Sequence, residues 1–536
     1  MLNPKIISPL FHQNTKGTLL KRVIPLLFII GLLICYKYFV EITYEIIFPT
    51  PNTPTIPNVP IIPPVSTIPI TNVNDDVEID PLSTENHEYK FRVKLDEIKA
   101  VYQVMDIIRI IIEPRHPSLA NKLESTFFRV TITGTTIFTP QLISSSNSSV
   151  LVYEAPLMDQ GDYKVQVRLT FYDYKEIYSF ESDEIPDPRL SPKVKIIDRV
   201  IVNGVFTFKV EQSPLWDRLK PDLPDSCSDI SILRGRWTED LSQFIPYNCI
   251  IPKNPDKNFL EIEVFNKGYP KFIDYNNLPF RYTWIRFLGD SNTRRLFNRV
   301  KGKIGGSCIA MRDGQNKNIN TQYFCKANYT KTNFLGEKDP RPREIYLTYE
   351  WYFPGSNYSL ETLLSNTFEQ TCKQYDKCVE NIQCDSNIIS SKNICSTKQA
   401  DYTFISIGSH TPGWNVESND KYLEKIFQQI HDENYREKLT FITTNVANIN
   451  KIPENYKDQY LIRNNFRITK ANELLKKYVD KSQKDGYSNI DLLDFFGTTQ
   501  PICEYSSDAV HYKDSVYQEQ TRLVLDRLIS YIKTIH

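Results

Sequence analysis

The sequence predicts an α/β domain built on a parallel sheet, preceded by a β-sandwich and by one N-terminal transmembrane helix. Three observations predict it. The apolar run Val23 to Val40 follows Lys5, Lys16, Lys21 and Arg22 with no acidic residue before them. From about Tyr89 to Glu211, short alternating runs rich in β-branched and aromatic residues recur, the period-2 signature of half-buried strands. Beyond about Lys271, apolar strand runs alternate with longer helical segments, the pattern of a parallel sheet flanked by helices.

Composition bounds the function before any motif does. The 536 residues include 64 Lys+Arg against 64 Asp+Glu, 40% hydrophobic residues, 33 Pro, 18 Gly and 10 Cys. This is enough chain for two or three domains with substantial cores. Disorder throughout and collagen-like or low-complexity classes are excluded. Zero net charge argues against a nucleic-acid partner, because phosphate binding shows as a basic excess.

Residues 1–22 read as a cytosolic tail and 23–40 as a signal-anchor. Lys37 can snorkel to the interface, and no small-x-small cleavage site follows. A cleaved signal peptide is the alternative, since the uninterrupted stretch Val23 to Tyr36 is short. An anchor makes this a single-pass type II membrane protein, with everything after the span lumenal or extracellular, in the Golgi, the secretory pathway or at the cell surface. Residues 41–86 place Pro every two or three positions from Pro49 to Pro69, a semi-rigid stalk in polyproline II or, equally, a disordered linker.

Cysteine usage fits an oxidising compartment. Cys35 sits in the span and the other nine follow Ser226, so Cys227/Cys249, Cys308/Cys325 and the group Cys372, Cys378, Cys384 and Cys395 read as local disulfides of open connectivity, with one thiol left over. The group's gaps suit zinc poorly and no metal site is expected. Asn147, Asn328 and Asn357 head glycosylation sequons.

Within the β-rich region 87–211, Leu157-Met-Asp-Gln-Gly-Asp-Tyr163 before alternating Val165, Val167 and Leu169 matches the tyrosine corner of immunoglobulin-like sandwiches, with the Tyr163 hydroxyl expected to bond backbone at the corner. No Cys falls there, so the inter-sheet disulfide of antibody domains is missing. Residues 212–270 form a segment leading into the last domain, 271–536. There Tyr282 to Leu288, Tyr402 to Ile407, Leu439 to Thr444 and Asn489 to Leu493 read as buried parallel strands. Lys421 to His431, Ile468 to Gln483 and Tyr517 to Ile535 read as helices.

At the end of the first of these strands stands Gly289-Asp290-Ser291-Asn-Thr-Arg294, and just before the last helix stands Asp508-Ala-Val-His511. Ligands of open α/β sheets sit at that carboxyl edge. A serine hydroxyl becomes a nucleophile when a base takes its proton, and the base works best when a carboxylate fixes its tautomer. Ser291, His511 and Asp508 can fill these roles. The structural alternatives are a surface histidine capping the last helix and turn chemistry for Asp290.

The Gly-Asp-Ser-x-x-Arg and Asp-x-x-His segments resemble the first and last blocks of the SGNH (GDSL-like) hydrolases, in their PC-esterase branch. Gly235-Arg236-Trp237 and Tyr247-Asn248-Cys249 resemble the segment ahead of the catalytic domain in trichome birefringence-like O-acetyltransferases. The order of anchor, stalk, sandwich and esterase domain is similar to the NXPE (neurexophilin and PC-esterase domain) family. The resemblance implies a three-layer, flavodoxin-like parallel sheet. It also implies a serine esterase or O-acetyltransferase acting on a glycan or glycoconjugate, with no cofactor and with an acetyl donor such as acetyl-CoA as substrate. No clean Gly-x-Asn-Asp appears. Gly289, Asp290, Arg294, Gly305, Gly306, Gly408 and His410 are therefore the oxyanion or substrate candidates, and the Ser291 amide is the donor expected first. A catalytically inactive adhesion ectodomain is the alternative. A stem-anchored glycosyltransferase is disfavoured because the chain lacks Asp-x-Asp.

Overall fold

The computed structural model describes residues 86–99, 101–143, 149–174, 196–214, 223–224, 226–228, 230–231, 233–251, 282–304, 307–312, 321–329, 343–352, 360–366, 370–371, 399–408, 416–435, 437–452 and 464–535. The span at 23–40, the stalk and the cysteines from 372 to 395 lie outside these residues. Among the described residues no helix is long and apolar enough to cross a membrane.

The β-rich region comprises β1 (Phe91–Leu95), β2 (Val101–Gln103), β3 (Ile107–Pro114), β4 (Phe127–Thr133), β5 (Thr136–Phe138), β6 (Gln141–Leu142), β7 (Leu151–Pro156), β8 (Gly161–Phe171) and β9 (Arg199–Glu211). Tyr89 and Lys90 form a 3-10 turn ahead of β1 rather than its first residues. β4 buries Phe128, Val130 and Ile132, and β8 buries Tyr163, Val165, Val167 and Leu169. The alternation is that of strands with one face on a core. The strands form one continuous sheet, in which β9 pairs antiparallel with β8 and parallel with β1 and β2. One hydrophobic cluster draws on strands from both ends of it, from Phe91 and Ile110 to Val167 and Phe208. The Tyr163 hydroxyl donates to the Asp159 carbonyl at 3.1 Å, closing the corner.

Next come β10 (Gly235–Thr238) and β11 (Phe244–Pro246), an antiparallel pair. β10 also pairs with β5, extending the β-rich sheet. Its Trp237 is nonetheless fully buried in the core of the following domain, with Nε1 donating to the Thr498 carbonyl at 2.6 Å. The segment read as a lead-in is thus shared by both domains. The Cys227–Cys249 disulfide closes it, and Cys308–Cys325 joins two neighbouring strands of the next sheet.

That sheet contains β12 (Tyr282–Gly289), β13 (Ser307–Arg312), β14 (Thr321–Tyr329), β15 (Arg343–Trp351), β16 (Tyr402–Ser406), β17 (Lys438–Ile442) and β18 (Ile490–Leu493), in the order β13-β14-β15-β12-β16-β17-β18. β12, β15, β16, β17 and β18 run parallel. Counted along the chain, they lie in the order 2-1-3-4-5, the flavodoxin-like arrangement, whose switch point falls between β12 and β16. The antiparallel pair β13 and β14 covers the β15 edge.

Helices α1 (Ser291–Ile304), α2 (Leu360–Ser365), α3 (Val416–Asp432), α4 (Asn465–Lys484), α5 (Phe495–Thr499) and α6 (Asp514–Ile535) follow in chain order. α1 and α6 pack on one face through Leu296, Phe297, Val300, Leu525 and Leu528. α2, α3 and α4 pack on the other through Leu363, Phe427 and Val479. β12 sends Ile285 and Phe287 to the first core and Leu288 to the second, so a strand buried on both faces reads as a nearly continuous apolar run.

Among the described cysteines Cys503 alone is free, and it is buried with its thiol 3.2 Å from the Ala447 carbonyl. Burial pushes its pKa up, away from the reactive thiolate. Cys503 is therefore expected to resist iodoacetamide in the native protein and to react once the chain is denatured, as read by peptide mass spectrometry.

Candidate active site

β12 ends at Gly289 and α1 begins at Ser291, so the serine sits where a buried strand turns into a helix. Asp290, the single residue between them, is 1% exposed. Its carbonyl accepts from the Arg294 amide at 3.0 Å, the first bond of the helix. Its Oδ1 accepts from the amides of Asn292 at 2.9 Å and Thr293 at 3.5 Å. This is an N-cap, worth about 1 kcal/mol. From β15, the Tyr349 hydroxyl reaches the carbonyls of Gly289 at 3.1 Å and Asp290 at 3.0 Å.

The turn has no room to spare. A Cβ on Gly289 would stand 2.2 Å from Thr293 Oγ1 and 3.0 Å from the Ser406 Cβ. Gly408, at φ +78°, would bring its Cβ to 2.9 Å from Asp290 Oδ2. We expect Gly289→Ala to cost about 2 kcal/mol through overpacking, measured as a lowered urea midpoint at unchanged m-value.

The second half of the site comes from the loop before α6. Ser291 Oγ lies 2.9 Å from His511 Nε2, and His511 Nδ1 lies 2.8 Å from Asp508 Oδ2. Asp508 Oδ1 also accepts from the amides of Val510 at 2.9 Å and His511 at 2.8 Å, which fixes the three-residue spacing into a closed turn. Burial raises the Asp508 pKa, but the Val510 amide and the His511 imidazole and amide outweigh it and hold the carboxyl below its ordinary range. The group is an anion at neutral pH. The loop is pinned by Ser507 N to the His511 carbonyl at 2.7 Å and by Asn448 N to the Ala509 carbonyl at 2.7 Å.

Serine, imidazole and carboxylate thus stand in one hydrogen-bonded line at the carboxyl edge of the sheet, beside the switch point. The line suits proton abstraction from Ser291 by His511, with Asp508 fixing the tautomer. Of the other residues singled out in the sequence, Arg294 lies over the Trp351 ring, 5.9 Å from its centroid. The Gly408 carbonyl accepts from Thr444 Oγ1 at 2.8 Å. Asn328 lies in β14 opposite Glu344. Gly305, Gly306, His410, Asn147 and Asn357 lie outside the described residues. No His/Cys/Asp/Glu group able to hold a metal occurs among the described residues.

Three neighbours escaped the sequence reading. Tyr349 locks the turn, and Asn292 accepts at Oδ1 from the Tyr517 hydroxyl at 2.6 Å. A cavity of about 20 Å³ adjoins the turn, lined by polar and apolar residues that include Asp290, Asn292, Ile442, Asn445, Phe495 and Gln520. It is large enough for one water. These residues come from separate elements, and apart from Asn292, which lies inside the Gly289 to Arg294 segment, no local pattern marks them.

No protein-family profile matches the chain, and neither does any curated protein. Solved structures similar to it include a lipase/acylhydrolase from Enterococcus faecalis, at 14% identity and TM-score 0.24 over 46% of this chain and 96% of that one. A peptidoglycan O-acetylesterase matches at 10% identity and TM-score 0.26, over 47% and 92%. An acetyl xylan esterase matches at 14% and 0.21, over 46% and 98%.

Proposed function

We propose that this protein is a serine esterase or O-acyltransferase of the SGNH type, acting on O-acyl groups of glycans through an acyl-enzyme on Ser291. The observation that carries the reading is the line from Ser291 Oγ through both His511 nitrogens to Asp508, at 2.9 and 2.8 Å. Ser291 Oγ attacks the ester carbonyl while His511 Nε2 takes its proton. The imidazolium, stabilised by Asp508, then protonates the departing alkoxide. The proton returns from the second nucleophile, a water in hydrolysis or a sugar hydroxyl in transfer, as the acyl group leaves Ser291.

The Ser291 amide, in the first turn of α1, is the oxyanion donor in this reading. The amides of Asn292 and Thr293 are engaged by Asp290. Gly408, Gly305, Gly306 and His410 are the candidates for the second donor, and Arg294 for a substrate contact. The setting is a type II membrane protein of the secretory pathway, of the NXPE and PC-esterase kind. Its anchor is 23–40, its stalk holds an immunoglobulin-like domain and the esterase domain off the membrane, and its sequons carry glycans. Support comes from the basic flank of the apolar run, the Pro-rich stretch and the Cys-free sequence from Tyr36 to Ser226. An acetyl donor such as acetyl-CoA would serve as substrate.

Fluorophosphonate labelling of the chain from Glu41 onward, beside its Ser291→Ala variant, tests the reading. Labelling of the parent that vanishes in the variant is expected. A folded parent that takes no label would sink the acyl-enzyme.

A further inference from the structure

We infer that the β-rich domain positions the loop carrying Asp508 and His511, and that it acts through Lys451; the inference rests on the acyl-enzyme reading above. Lys451 ends a 3-10 turn, Ile449–Lys451. Its Nζ donates to the carbonyls of Glu504 at 3.0 Å and Ser506 at 2.5 Å, the latter two residues ahead of Asp508. The neighbouring Asn450 donates from Nδ2 to Asp198 Oδ2 of the β-rich domain at 3.0 Å. Asp198 is itself gripped by Arg168 Nε at 3.0 Å and Arg129 Nη2 at 3.4 Å. Arg129 closes the circuit by pairing with Glu504 Oε1 at 2.9 Å.

The loop before His511 is therefore held by two cations, Lys451 on its carbonyls and Arg129 on its carboxylate; Arg129 bonds Asp198 directly, and Lys451 is tied to it through the adjoining Asn450. Apolar contact fixes the frame around this polar link. Phe127 stacks on Phe466 of α4 with ring centroids 5.4 Å apart, and Arg467 Nε donates to the Tyr174 hydroxyl at 2.6 Å. A base and its orienting carboxylate work only within a narrow window of distance and angle, and a shift of about 1 Å can cost about a hundredfold. Lys451 acts through the loop, touches no reacting atom, and is a positioning residue.

The test uses the chain from Glu41 onward as parent, Lys451→Met, Lys451→Arg and, as a surface-charge control, Lys209→Ala. Two quantities are read: the second-order rate of fluorophosphonate labelling, and amide hydrogen exchange in residues 503–512. Lys451→Met is expected to label about tenfold more slowly and to exchange faster in 503–512, with exchange in β8 unchanged. Lys451→Arg, which keeps donors for both carbonyls, recovers most of both, and Lys209→Ala follows the parent. Unchanged exchange in 503–512 for Lys451→Met overturns the inference, as does faster exchange with an unchanged labelling rate. A parent that never labels defeats the acyl-enzyme reading instead. Exchange in 503–512 then decides whether Lys451 holds the loop.

Discussion

His511→Ala is expected to slow acylation of Ser291 by about 10⁴-fold or more while leaving the fold intact. Among the described residues His511 is the group that bonds Ser291 Oγ; without it the serine proton has no acceptor there, and a neutral hydroxyl is a poor nucleophile. Asp508→Asn is the more informative partner. The amide keeps the shape of the carboxylate but can donate to Nδ1. That stabilises the tautomer with its proton on Nε2, which cannot accept from Ser291. A fully buried carboxylate in this position is worth about 10⁴. The Asp508 side chain is 44% exposed, so water competes for the imidazole and the loss should be smaller, about 10³-fold. The double variant should be no slower than His511→Ala alone, because the three groups act as one unit. Hydrolysis of p-nitrophenyl acetate and the labelling rate both report these losses. Additive losses in the double variant would mean that Asp508 and His511 act separately, contrary to the 2.8 Å contact between them.

The parts of the site that were legible in the sequence are those encoded locally. Gly-Asp-Ser at a strand end and Asp-x-x-His before a helix each place their groups within one turn, and the structure brings Ser291, His511 and Asp508 together across 220 residues. The strands of the parallel sheet were legible because burial on both faces leaves apolar runs such as Tyr402–Ser406. The α4 helix begins at Asn465, earlier than its apolar stripe alone suggests, because Asn464 caps it by accepting from the Arg467 amide. What was illegible is what is encoded by pairing at a distance. Tyr349 looks like any strand tyrosine until β15 is laid beside β12. Trp237 belongs by chain pairing to the β-rich sheet and by burial to the α/β core, so no domain boundary drawn along the chain could assign it. Candidates at Gly305, Gly306 and His410 stand on motif position alone.

The largest effect on stability is expected from a pair the sequence could not announce, Arg286 and Glu350. Arg286 lies on the Leu288 side of β12 and is 1% exposed; Glu350 on the adjacent β15 is fully buried. Glu350 accepts from Arg286 Nε at 2.6 Å and from Nη2 at 2.8 Å, while Nη1 donates to the Leu363 carbonyl on α2. Removing one partner leaves a desolvated charge with no counter-ion, which costs about 3–5 kcal/mol out of a total stability of about 5–15 kcal/mol. Glu350→Ala should therefore lower the urea midpoint steeply. Because β12 and β15 end beside the turn that carries Ser291, at Gly289 and Trp351, it should also lower labelling under mild denaturant before the global transition. Replacing both residues, as Arg286→Met with Glu350→Leu, removes the desolvation cost along with the attraction and should return stability to within about 1–2 kcal/mol of the parent. A Glu350→Ala loss below about 1 kcal/mol would mean that water reaches the guanidinium. The pair would then be a wet contact, and the rigidity of the turn at Ser291 would have to come from the Tyr349 and Asp290 contacts alone.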